Sequence, residues 1–349
     1  MISAQLSKSI SNLRFPLACL IVLKHYYTPD ISAEMLGGAI YGNIGEFFTF
    51  IFTDIPVPLF FFISGYLYFV DFDISSNFSF CKYLNKQKKR IRSLLVPYLS
   101  WNLIVLLLYS FVQLSINKNN DTFSNDGYKF ILDYTWLDFI KAFVALDSTG
   151  FPIDGPIWFI RDLFFVTFFT PFIFYGIKYL NWFFVMIVLY IGSFPGFPAF
   201  FVYGATFALL APKFLNCVST TDKVIHICLF VISLSIVSYL YFSDKTCELY
   251  DSAKEIFLLT GVLAYISWGD KLYSSNMLSN CSFFVFASHK PIMVIIRRLF
   301  FNLFHPENEI ILILLQFLIP IIVIAICVLL FLFIKKKLPV LAFLNGYRL

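Results

Sequence analysis

The chain has 349 residues, of which 59% are hydrophobic, 20% aromatic and 13% charged, with a formal net charge of +5; an ordinary soluble domain is roughly 45–50% apolar and 25% charged. A mean hydropathy of +0.80 leaves too little polar surface for a soluble enzyme, 46 phenylalanines oppose disorder, and the small charge excludes a duplex-binding face, so no nucleic-acid partner is expected. The chain reads as a polytopic membrane protein whose main partner is the lipid bilayer.

A spanning helix needs about 20 mostly apolar residues. Ten segments approach that: 11–29, 46–70, 94–114, 156–176, 179–194, 198–212, 224–242, 254–268, 281–301 and 310–334. The first follows a weakly basic start and shows no small-residue cleavage site, so it reads as an uncleaved anchor. With the N-terminus inside, sixteen Lys and Arg fall in cytoplasmic loops or tails. Five (Lys118, Lys129, Lys141, Lys245 and Lys254) fall outside, and five (Lys24, Arg161, Lys290, Arg297 and Arg298) lie within or at the ends of spans. That asymmetry follows the positive-inside rule. The expected fold is an all-α membrane protein of about ten transmembrane helices with both termini cytoplasmic, a single domain over 1–349 with no appended soluble domain.

The longest loop, about 115–155, opens polar and then sets Trp136, Phe139, Ile140 and Phe143 at helical spacing. This reads as an interfacial helix, either a lid over an acceptor site or a lipid-anchored connector. The seven cysteines form no CxxC pair, so neither a disulfide framework nor a metal site is expected. No internal repeat is visible, whereas transporter folds usually pair their halves.

Ionisable groups inside spans are costly, which makes each a functional candidate. Arg14 and His25 stand eleven residues apart on the first segment, almost three whole turns, so they share a helix face about 16 Å apart along the axis. That spacing suits an extended ligand with an anionic head at the inner surface, such as an acyl-coenzyme A with its phosphates at Arg14 and its thioester near His25. A neutral imidazole there can take a proton from an attacking hydroxyl. The alternative is an interfacial anchor at Arg14 and a satisfied histidine in an aromatic belt with Tyr26 and Tyr27. His289, near mid-membrane in segment nine, is a second candidate base; His226 and His305 look peripheral.

Here the chain resembles a family. Arg14, ten intervening residues and His25 are similar to the first-helix signature of the acyltransferase family 3 proteins, integral membrane O-acyltransferases of surface polysaccharides and other extracytoplasmic acceptors. VPLFFFISGYLYF (57–69) resembles the family's second-helix motif, with Ser64 and Gly65, and KKRIRSLLVPYLSWN (88–102) its basic segment leading into a Pro-Tyr helix. GPIWFIRDLFF (155–165) resembles its Trp-Phe helix entry, FVYGATFALL (201–210) its glycine-bearing span, and FVFASHKPIM (284–293) its late helix with a His two residues before Pro.

The resemblance implies acetyl transfer from cytoplasmic acetyl-CoA, with no metal, to a hydroxyl of a cell-surface glycan or its lipid-linked saccharide precursor. It implies a multi-pass location in a bacterial cytoplasmic membrane. His25 is then the base. Arg14, with Lys89 and Arg92 or Arg90 in the alternative frame, holds phosphate, and Ser64 with Gly65 allows close helix approach near the cofactor. Six cations between Lys82 and Arg92 are otherwise explained by attraction to anionic lipid.

Asp54, before Pro56 and Pro58, is a plausible neighbour of His25 or simply an acid at a helix entry; the two prolines should distort that helix. Arg161 with Trp158 is expected on the acceptor side, as is Asp162, the two charged residues meeting different partners because sequence neighbours do not share a helix face. Lys290 departs from the family, where a hydrophobic residue is usual. A polytopic transporter or flippase for a glycan or lipid-linked sugar is the rival reading, and a non-catalytic scaffold a second.

Overall fold

The computed structural model describes residues 2–27, 39–115, 131–145, 150–191, 197–304, 306 and 308–346. Among the described residues there are helices and no strands. In chain order they are α1 (Ala4–Lys24), α2 (Ala39–Glu46), α3 (Pro56–Phe69), α4 (Phe80–Arg90), α5 (Val96–Ser115), α6 (Trp136–Val144), α7 (Trp158–Val166) and α8 (Thr170–Leu180). Then follow α9 (Trp182–Ile191), α10 (Phe197–Leu210), α11 (Pro212–Asn216), α12 (Thr220–Asp244), α13 (Glu248–Trp268), α14 (Asn276–Phe304) and α15 (Glu309–Lys337).

Six helical stretches are long and apolar enough to cross a membrane: Ala4–Lys24, Ile40–Phe69, Phe80–Leu114, Gly155–Leu180, Thr220–Asp244 and Glu309–Lys337. They match six of the ten expected segments. Among the described residues segments five and six are helices of 10 and 14 residues, shorter than the roughly 20 residues of a full span. The chain reverses between α8 and α9 at Asn181, which adopts φ 54°. Segments eight and nine lie in helices of 21 and 29 residues that carry charge within them.

Local chemistry sets the ends. The Ser3 hydroxyl accepts from the Leu6 N–H at 3.2 Å to start α1, and reciprocal capping boxes start α6 (Thr135 with Asp138) and α12 (Ser219 with Asp222). The distortion expected before Pro56 and Pro58 is present: a wide π turn over Phe47–Ile51 and a tight 3₁₀ turn over Phe52–Asp54 lead into α3. The helix expected around Trp136 forms as α6, with Trp136 75% exposed as an interfacial side chain would be.

The centre of the bundle is α3 against α10, seamed by two glycines. A Cβ on Gly65 would lie 2.0 Å from the carbonyl oxygen of Phe201, and one on Gly204 would lie 1.9 Å from that of Phe62. Only glycine lets the two backbones touch, the small-residue packing that membranes favour where water supplies no hydrophobic drive between helices. Around this seam α1 packs against α14, and α14 against α15. These contacts bring the first helix beside the late helix that carries His289.

Candidate functional site

The site begins at a basic mouth. A cavity of about 430 Å³ is lined by Lys82, Lys86, Lys89, Arg90 and Asp71, among others. Lys86 Nζ donates to the Tyr68 carbonyl and the Asp71 carboxylate, both at 2.7 Å, while lying 5.2 Å from the Tyr68 ring centre. Lys82 Nζ donates to the Asp71 backbone carbonyl at 2.6 Å. Lys89 is exposed on the same wall.

Leu67 and Arg90 also line a second, deeper cavity of about 140 Å³, so the guanidinium stands where mouth and interior join. Arg90 Nη2 reaches the Ser64 carbonyl at 3.5 Å. One turn earlier on α4, Gln87 fixes the helix: its amide donates to the Thr167 carbonyl at 2.6 Å and accepts from the Thr167 hydroxyl at 3.0 Å. The deeper cavity brings Arg14 and Ser64 together with Arg90, Phe159, Ser282 and Phe286. The Ser64 hydroxyl is buried and has no hydrogen-bond partner among the described residues. Arg92 is exposed and lines neither cavity.

The lining ends at Ala18 on α1 and Phe286 on α14. Further along those same helices stand His25 and His289, whose rings face each other at 5.3 Å between centroids with 30° between planes. His25 closes α1, its backbone N–H donating to Ile21 and Val22. His289 is fully buried. Its Nδ1 lies 2.6 Å from the Phe286 carbonyl. A carbonyl can only accept, so Nδ1 carries the proton and Nε2 keeps a lone pair. That Nε2 is buried and unpartnered among the described residues.

Asp54 belongs elsewhere. One oxygen pairs with Lys24 and the other with Lys254 at 2.8 Å, while Lys24 also donates to the Thr49 carbonyl at 2.7 Å. Two ammonium groups, not an imidazole, occupy this carboxylate. The expectation that Arg161 and Asp162 meet different partners is corrected: Arg161 Nε donates to Asp162 Oδ1 at 2.7 Å. A long Arg side chain can fold back along its helix, a reach that Cβ directions alone do not capture. Arg161 also holds the carbonyls of Val144 and Gly150, tying α7 to the end of α6. Trp158 is half-buried, 6.0 Å from the Phe151 ring. His226 bridges α12 to α13 through Ser267 at 2.6 Å; His305 lies outside the described residues.

Asp154, not singled out in the sequence, sits at the entry to α7, only 1% exposed. Neither carboxylate oxygen has a hydrogen-bond partner among the described residues, and burial pushes its pKa up to about 7 against the opposing pull of Lys290. The Lys290 ammonium lies over the next residue: a Cβ on Gly155 would be 3.2 Å from its Nζ. The available signal was an acid before Gly-Pro in an otherwise apolar stretch, together with an unusual lysine beside a histidine.

Among the described residues no cluster of three His, Cys, Asp or Glu side chains is placed to hold a metal ion. Neither the curated proteins nor the solved structures offer a match. A family model described as an acyltransferase domain matches residues 7–332, a stretch that takes in both cavities and both facing histidines. This chain therefore belongs to the acyltransferase family 3, and it is a multi-pass membrane acyltransferase.

Proposed function

We propose that the protein is an O-acetyltransferase of the cytoplasmic membrane. Acetyl-CoA enters at the basic mouth, and the acceptor is a hydroxyl of a cell-surface glycan or its lipid-linked precursor. The observation that carries this reading is the order of groups along α1: a cation at the cavity, Arg14, and an imidazole beyond it, His25, facing a second imidazole.

Phosphates have natural partners in Arg14, Arg90 and Lys89, where guanidinium forks suit phosphate oxygens. The narrower interior cavity suits the pantetheine arm. His25 takes the proton of the acceptor hydroxyl as its oxygen attacks the thioester carbonyl. The tetrahedral intermediate then collapses, the C–S bond breaks, and coenzyme A leaves as the thiolate, which recovers the proton. His289, with Nδ1 committed to a carbonyl and Nε2 free to accept, offers a second base beside the same reacting centre. Trp158 and Arg161 stand at the opposite end of α7 from the Gln87–Thr167 clasp, the side on which an extracytoplasmic acceptor arrives.

Cells producing His25→Ala at wild-type membrane levels test the reading by mass spectrometry of their surface glycans. Loss of one acetyl mass increment with the glycan still exported supports it. Unchanged acetylation removes His25 as base, and failed export favours a flippase.

A further inference from the structure

We infer that Asp154 and Lys290 together form a hydroxyl-recognition pair that binds the acceptor beside the histidines; this rests on the acyltransferase reading above. Lys290 follows His289 on α14, and Asp154 immediately precedes the glycine over which the Lys290 ammonium lies.

The two groups are near but do not engage each other: no ion pair within 4.0 Å forms between them. A buried carboxylate with both oxygens unsatisfied is costly to keep. A purely structural pair would be expected to close to contact, as Lys223 and Asp270 do elsewhere in this protein at 2.6 Å. Separation with unsatisfied oxygens suits a third group lying between. A hydroxyl meets both needs at once, its O–H donating to the carboxyl oxygen and its oxygen accepting from the ammonium. Phe286 links α7, whose entry carries Asp154, to the histidines: its ring meets that of Phe159 edge to face at 4.8 Å and lies 6.1 Å from His289. The ligand class is a polyhydroxylated acceptor, one hydroxyl held by Asp154 and Lys290 while another meets the imidazoles. A site built to hydrogen-bond a hydroxyl rejects analogues lacking it, because its own polar groups are then left unpaired.

Full-length Asp154→Asn, Lys290→Met and the double variant are produced in the native cells. Surface-glycan acetylation is measured by mass spectrometry, and acetyl-CoA affinity and melting temperature on the purified proteins. Each single variant is expected to lose at least tenfold in acetylation while the acetyl-CoA Kd stays within twofold. The double variant, which removes both charges and so relieves any unpaired buried charge, is expected to remain as defective as the singles, and Lys290→Arg to retain at least a third of the wild-type level. Recovery of acetylation in the double variant overturns the proposal in favour of a structural pair. A parallel rise in the acetyl-CoA Kd overturns it in favour of a donor-side role. If the wild type itself neither binds acetyl-CoA nor acetylates, the acyltransferase reading has failed first, and this proposal with it.

Discussion

His25 and His289 face each other across α1 and α14 at 5.3 Å, joined by a helix packing that also places Arg14 and Ser282 on one cavity wall. A lone imidazole in a membrane helix has several uses. Two facing each other, with one Nε2 unpartnered among the described residues, concentrate proton-accepting capacity in one place. His25→Ala and His289→Ala should each reduce acetyl transfer by about 10²–10⁴-fold, the usual worth of a positioned base, with membrane levels unchanged. Transfer within threefold of wild type in either variant would strike that residue from the chemistry.

Arg90 should matter more to donor binding than Arg92 does. It sits at the junction of the two cavities, whereas Arg92 lines neither. Arg90→Ala is expected to raise the KM for acetyl-CoA by roughly 10–100-fold with kcat little changed, since a lost phosphate contact is a loss of binding in ground and transition states alike. Arg92→Ala should shift KM less than threefold. Steady-state kinetics on protein in lipid nanodiscs distinguishes them.

Asp54 offers a different expectation, because its partners Lys24 and Lys254 make it a structural tie between α1 and α13. Asp54→Asn leaves two half-buried ammonium groups facing a neutral amide, a loss of charge-assisted hydrogen bonding worth about 1.5–3 kcal/mol. The melting temperature in detergent should fall by several degrees. Activity per folded molecule should hold, and a selective loss of activity at unchanged stability would instead return Asp54 to the site.

For Asp154 the sign of the pH dependence is fixed by the direction of its shift. Its folded-state pKa is raised to about 7 by burial from an ordinary value of about 3.9. The folded protein therefore holds more protons than the unfolded chain between those values, and stability falls as pH rises through that window. Asp154→Asn lacks this penalty. Its melting temperature relative to wild type should rise between pH 5 and pH 8, by an amount equivalent to about 2 kcal/mol. A difference that stays flat with pH contradicts the burial argument.

Much of the architecture was legible from composition and periodicity. The apolar segments marked the helices, the prolines at 56 and 58 marked a break, and Trp136, Phe139 and Ile140 marked α6. Segments five and six were short already in the sequence, and their boundaries were less legible, because hydropathy alone does not mark the turn at Asn181 where α9 begins. Within the site, the eleven-residue interval suggested one helix face for Arg14 and His25; Arg14 lines the interior cavity, whereas His25 caps α1 beyond that lining and faces His289. The pairing of Asp54 with Lys254, the choice of Arg90 for the junction and the approach of Lys290 to Gly155 are all long-range. Each depends on which helix packs beside which, information that spacing along one helix does not contain.

The seam between α3 and α10 carries a mechanical consequence. Where Gly65 meets the Phe201 carbonyl and Gly204 meets the Phe62 carbonyl, there is no side chain to act as a lubricating layer, so neither rod can roll or slip past the other without first parting. Ser64, next to Gly65, is thereby carried on the most closely packed pair of backbones described. The other walls of the interior cavity, on α1, α7 and α14 and at Arg90, have no such seam and can shift at lower cost.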